Sequence, residues 1–187
     1  MPLEFVADPK AGASLLQKAR DVPPWQFPAW LASQKSFVRY TDNFNFLTRG
    51  ASGLLSSIVQ RERDFASYLI MIDPDPEEYG AAYGGLPILR FAPLVTDDEF
   101  WLKTTTDPSG GMFGIAMLSD AIVMFGEEPS WLIYYKRSLS MAMLVTSFNP
   151  DTLTEVTGDW WYPFDFVRGQ VPSNIPVFYE QGPIDSG

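Results

Sequence analysis

Residues 68–72 read Tyr-Leu-Ile-Met-Ile, five apolar side chains in succession. Side chains along an extended chain alternate between two faces, so a run of this kind is apolar on both. The segment 65–73 therefore predicts a strand in a central position of a sheet. Other stretches read as its neighbours. In 36–48, Phe37 alternates with Arg39 while Phe44 and Phe46 share a face, and Asp42-Asn43 supplies a turn between two strands. "LPILRF" and "EFWLKTTT" read as strands separated by the acidic turn "TDDE". In 129–148, two apolar stretches flank "KRSLS" and predict a β-hairpin. "WWYPFDFV" is the last strand candidate.

Three segments carry helical spacing. Residues 11–20 form a short amphipathic pattern, which the three prolines of "DVPPWQFPAW" interrupt. In 51–64, Leu54, Leu55, Ile58 and Val59 lie on one side. In 112–128, Ile115, Leu118, Ile122 and Phe125 share a face at 3.6-residue spacing. Short turns between successive strands argue against a doubly wound parallel sheet. The expected fold is α+β: a largely antiparallel twisted sheet of six or more strands, with two or three helices packed on one face. One domain is expected over 1–187. Residues 1–35 would be an N-terminal helix and Pro/Trp-rich segment packed on it, and 169–187 a loop-like tail.

The chain has no histidine and no cysteine. That removes Ser-His-Asp and Cys-His nucleophiles, His-based zinc sites, thiolate metal sites and disulfides. Carboxylates, Tyr, Lys or Ser could still act, yet no catalytic signature accompanies them, and no cofactor is expected. The net charge is −10. Residues 1–72 hold eight basic and six acidic groups, whereas 73–187 hold five basic and seventeen acidic ones. Such a surface repels phosphate backbones and anionic lipid and attracts a basic partner. Neither a nucleic acid nor a membrane is an expected partner. The opening "MPLEFVADPK" lacks a basic then apolar signal pattern, so a cytoplasmic location is the expectation.

Three groups of residues stand out. In "DPDPEEYG", Asp73, Asp75 and Glu77 alternate as calcium ligands do in an EF-hand loop, but Glu78 and Gly84 stand where that loop needs Gly and Glu. A solvated acidic loop is the expectation. The glycines of "SGGMFG" (109–114) precede a predicted helix, where amides can meet an anion. They lack the Lys-Ser/Thr of a P-loop, so a tight turn is expected. In "GDWWYPFDF", one strand face would carry Trp160, Tyr162, Phe164 and Phe166 as core. The other presents Trp161 between Asp159 and Asp165, a candidate protein contact. Asp120, on the predicted 112–128 helix, is a candidate raised-pKa acid if buried and a solvent-facing residue if not.

The stretch "PSWLIYYKRSLSMAMLVTSF" resembles the late hairpin of several small bacterial immunity proteins: a Trp-led strand, a basic turn, then an apolar strand. The resemblance is confined to residues 129–148 and assigns no subfamily. It implies a cytoplasmic, non-catalytic protein that neutralises a cognate toxin by binding it, the acidic surface suiting a basic toxin domain. The expected contacts are Asp73, Asp75, Glu77, Glu78, Asp97, Asp98 and Glu99 for steering, with Trp161 flanked by Asp159 and Asp165 as anchor. Two other classes fit the same residues. One is a small-molecule or carbohydrate binder or hydrolase using Trp160, Trp161, Asp159, Asp165 and Asp120. The other is a phage or structural interaction protein.

Overall fold

The computed structural model describes residues 3–23, 28, 30–31, 37–41, 51–128 and 130–153. In chain order these form β1 (Glu4–Phe5), α1 (Pro9–Arg20), β2 (Phe37–Thr41), α2 (Ala51–Glu62), β3 (Ser67–Asp73), α3 (Pro76–Tyr83), β4 (Ile88–Phe91), α4 (Asp97–Thr105), α5 (Ile115–Leu118), β5 (Ala121–Gly126), β6 (Leu132–Lys136) and β7 (Met141–Thr146). The strands make one sheet in the order β1-β4-β3-β5-β6-β7-β2, every neighbouring pair antiparallel. The fold is thus α+β around an antiparallel sheet, with β3 and β5 at its centre.

Register follows from burial on both faces. Leu89, Leu69, Met124, Ile133 and Leu144 are cross-strand partners in one row. They enter a core shared with Leu54, Leu55, Ile58 and Val59 of α2, Tyr79 of α3, Phe100 of α4 and Ile115 of α5. One residue along, Ile88, Ile70, Val123, Tyr134 and Met143 make the matching row on the opposite face. That row packs with Leu16 and Ala19 of α1. A slip of one residue would exchange the two rows and misplace every side chain. Each fully buried Leu, Ile or Met contributes about 1.5–3 kcal/mol over its exposed state. Helices cover both faces of the α+β sheet rather than the single face expected: α1 lies on one and α2 to α5 on the other, because the sheet is apolar on both sides.

The hairpin expected in 129–148 is present as β6 and β7, joined by a 3₁₀ turn over Arg137–Leu139. The helices expected near 11–20 and 51–64 are α1 and α2. Three expectations are corrected. Residues 112–128 are not one helix: α5 lasts a single turn, Ser119-Asp120 ends it, and β5 follows with all six residues buried. An apolar run buried on both sides of a sheet has no period that separates it from a buried helix. "EFWLKTTT" is not a strand but most of α4. The segment after β3 is not a loop, since Asp75 caps α3 and Pro76 opens it. The strand expected at 44–48, the one at "WWYPFDFV" and the tail from 169 lie outside the described residues.

Asp64 ties the end of α2 to the β5–β6 connection. It follows α2, is buried, and accepts from the Trp131 indole N–H at 2.5 Å and the Glu128 amide at 3.1 Å. Burial pushes its carboxyl above the usual range, and these two bonds work against that rise. Gly126 leaves room for it: a Cβ there would stand 1.7 Å from the Asp64 Oδ2 and 2.7 Å from the Trp131 indole nitrogen. Gly126→Ala is therefore expected to lower the unfolding free energy by about 2 kcal/mol, the cost of overpacking a filled core. Urea denaturation measures it, and a change under ~0.5 kcal/mol, the size of a neutral surface substitution, would contradict this packing.

Candidate functional site

The acidic residues singled out in the sequence gather at helix starts, where the first backbone amides lack intrahelical acceptors. The Asp75 carboxylate accepts from the amides of Glu77 at 2.8 Å and Glu78 at 3.2 Å. The Glu78 and Glu77 amides hold its carboxyl below the usual range. Glu77 forms a two-pronged pair with the Arg20 guanidinium, which also stands 3.6 Å from Asp75. Glu78 lies exposed in the first turn of α3. At α4, Thr96 and Glu99 make a reciprocal capping box: the Glu99 amide donates to the Thr96 hydroxyl at 3.3 Å, and the Thr96 amide donates to Glu99 at 3.1 Å. The Thr96 amide and hydroxyl hold the Glu99 carboxyl low. Asp97 accepts from the Ser52 hydroxyl of α2, and Asp98 is exposed in the same turn.

Asp73 ends β3, where Lys136 Nζ stands 2.8 Å from it and 2.5 Å from Asp120. Asp120 is not on a helix but at the entry to β5. It also accepts from the Ser138 amide at 2.8 Å and hydroxyl at 3.2 Å, clamping the hairpin turn. Burial pushes its carboxyl up, but the Lys136 ammonium and Ser138 outweigh that and leave it below the usual range. An acid so held is ionised at neutral pH, which removes Asp120 as a proton donor. Asp73, Asp75 and Glu77 do not form a cation site: among the described residues no three Asp or Glu stand close enough to hold a metal. Asp159, Trp160, Trp161 and Asp165 lie outside the described residues.

A second group of exposed residues, which no sequence pattern announces, is apolar and lies on the C-terminal half of α4, the 107–114 loop and α5. Among the exposed large apolar side chains are Trp101 and Leu102 on α4, Met112 and Phe113 on the loop, and Met117 on α5. The elements that carry them are closely joined. The hydroxyls of Thr104, Thr105 and Thr106 bond the carbonyls of Phe100, Trp101 and Leu102 at 2.8, 2.7 and 2.6 Å, closing the last turn of α4. The Gly114 amide then donates to the Thr105 carbonyl at 3.2 Å. A Cβ at Gly114 would stand 2.4 Å from the Thr104 oxygen, so α5 can approach α4 this closely only with glycine there. The Arg137 guanidinium donates to the carbonyls of Ala116 and Met117, a cation at the C-terminal end of α5.

The loop itself is folded around one buried carboxylate. Asp107 accepts from the Ser109 hydroxyl at 2.6 Å and from the amides of Ser109, Gly111 and Phe113 at 2.9, 3.1 and 3.4 Å. The amides that could have met an external anion are thus turned inward onto the chain's own anion. Phe113 is braced from behind: its ring stacks on Tyr83 with centroids 5.5 Å apart, and Tyr83 packs on Tyr79 at 4.7 Å. The Tyr79 hydroxyl donates to the Phe113 carbonyl at 2.9 Å, and burial pushes that phenol well above its usual range. A loop secured this tightly yet carrying Met112 at 78% exposure presents the side chain outward. The chain matches no known protein family, no curated protein and no solved structure.

The Ser109 hydroxyl, followed by the loop amides, holds the Asp107 carboxyl below the usual range. A carboxyl lowered on folding contributes stability that is complete above its unfolded pKa, about 3.9, and lost as pH falls through the folded value. Asp107→Ala is therefore expected to lower the thermal midpoint at neutral pH. The gap from the parent protein should close as pH falls below about 4. A gap independent of pH between 6 and 2 would contradict this role for the carboxylate.

Proposed function

We propose that the chain is a non-catalytic protein-binding module, most concretely an immunity-type inhibitor that neutralises a basic toxin domain by direct binding in the cytoplasm. The observation that carries this reading is the placement of exposed carboxylates in the first turns of α3 and α4, together with exposed apolar side chains on α4, the 107–114 loop and α5. Residues 73–120 hold nine Asp or Glu against two basic residues, Arg90 and Lys103. A field of one sign accelerates encounter with an oppositely charged partner and disfavours anionic ones. The absence of histidine and cysteine from the sequence weighs against imidazole and thiol chemistry, and the lowered carboxyl of Asp120 weighs against its use as a proton donor. Among the described residues no helix is long and apolar enough to cross a membrane. The hairpin β6–β7 keeps the layout on which the resemblance to immunity proteins rests.

The reading predicts that the full chain, used as bait in its native host, retains a specific basic protein at low and moderate salt. Association with it should slow about tenfold or more as ionic strength rises past the point where the Debye length is ~10 Å. Glu78→Lys and Asp98→Lys should slow association further while leaving dissociation nearly unchanged. Stopped-flow or surface-based kinetics read both rates. Recovery of no specific partner, or an association rate indifferent to salt, contradicts the proposal.

A further inference from the structure

The exposed apolar face calls for a reason of its own. Monomeric proteins seldom keep contiguous apolar surface without a use for it, whereas single exposed apolar residues are ordinary. Phe65, at 86% exposure between α2 and β3, is such a single residue. Trp101, Leu102, Met112, Phe113 and Met117 differ, because α4, the loop and α5 carry them on adjoining elements. From the geometry we infer that this face is the anchoring half of a protein–protein interface. Its occupant is a partner with an apolar recess rimmed by Lys and Arg. The inference rests on the proposed binding function and assigns its anchor to this face in place of Trp161.

Charge complementarity selects that occupant. Asp98 precedes Trp101 by three residues and Leu102 by four, the spacings that place helix side chains on one face. At 1.5 Å per residue, the acidic first turn lies roughly 5–8 Å along the axis from Leu102. Of the nearby cations, Arg137 is spent on the α5 carbonyls and Lys136 on Asp73 and Asp120. Lys103, in the last turn, is the one basic residue of α4, against Asp97, Asp98 and Glu99 in its first turn. A second copy of this chain would bring its own carboxylates to the same place and be repelled. The loop is also prepared for its task. Fixing Met112 and Phe113 through Asp107 and Tyr83 removes ordering entropy from the binding step. Aromatic and Met side chains on such a mount are the usual energetic centre of an interface.

The test places the photoreactive residue p-benzoylphenylalanine at Phe113, at Glu78 and at Phe65, each in the full chain expressed in the native host. The expected result is a cross-link from 113 and from 78 to the same net-basic protein, and none from 65. With that protein purified, Met112→Ser and Leu102→Lys should each weaken binding about tenfold or more, a hot-spot loss, while Phe65→Ser leaves it unchanged. Both tested positions are exposed, and circular dichroism checks that the variants stay folded; Met117→Ser stands in for either that does not. A link from 78 but not from 113 overturns this inference and leaves the proposed function standing. So does a link from 113 to the chain itself or to a second copy. No link from either position overturns both.

Discussion

Strand β5 buries every residue from Ala121 to Gly126, and the rest of the architecture answers to that. A strand with no solvent face needs cover above and below, in the manner of a sheet between two helical layers. Its antiparallel partners β3 and β6 extend both apolar rows, α1 closes one side, and α2 to α5 close the other. The chain must also enter β5 from the helical layer. A single turn of helix, α5, makes that descent, and Ser119-Asp120 ends it. Asp107 folds the loop that precedes this short helix into a fixed shape.

The acidic surplus has a structural origin as well as an electrostatic effect. Asp75 and Glu99 serve the orphan amides of α3 and α4, and the aligned peptide dipoles favour negative charge at those ends. Capping fixes the carboxylates in space and keeps them ionised, since both carboxyls are held below their usual range. Arg20, shared between Glu77 and Asp75, and Lys136, shared between Asp73 and Asp120, each offset one of two charges and leave one over. Residues chosen for helix stability and residues chosen for a basic partner are, in this layer, largely the same.

The sheet was legible in the sequence wherever a strand is short and bounded by turns, as in 65–73 and the 129–148 hairpin. It was obscured where local chemistry mimics another state. Thr104, Thr105 and Thr106 look like strand residues, but their hydroxyls return to carbonyls four positions back and end a helix. The signal for that helix is Thr96-x-x-Glu99, a capping box whose acidic residues also have the composition of a turn. Asp75-Pro76 likewise announces a helix start, but its acidic, proline-rich surroundings have the composition of a loop. The acidic half of the candidate site was visible as charge density. The apolar half was not, because its members come from three elements and exposure depends on packing that no local pattern encodes.

Binding through the 107–114 loop depends on its pre-organisation, which amide hydrogen exchange of the free, full-length protein measures most directly. Slow exchange is expected at Gly111 and Phe113, whose amides face the Asp107 carboxylate, with that protection lost in Asp107→Ala. Exchange at those two amides as fast as in an unstructured peptide would mean that the loop is not held in place, and that the face it carries is not built for a partner.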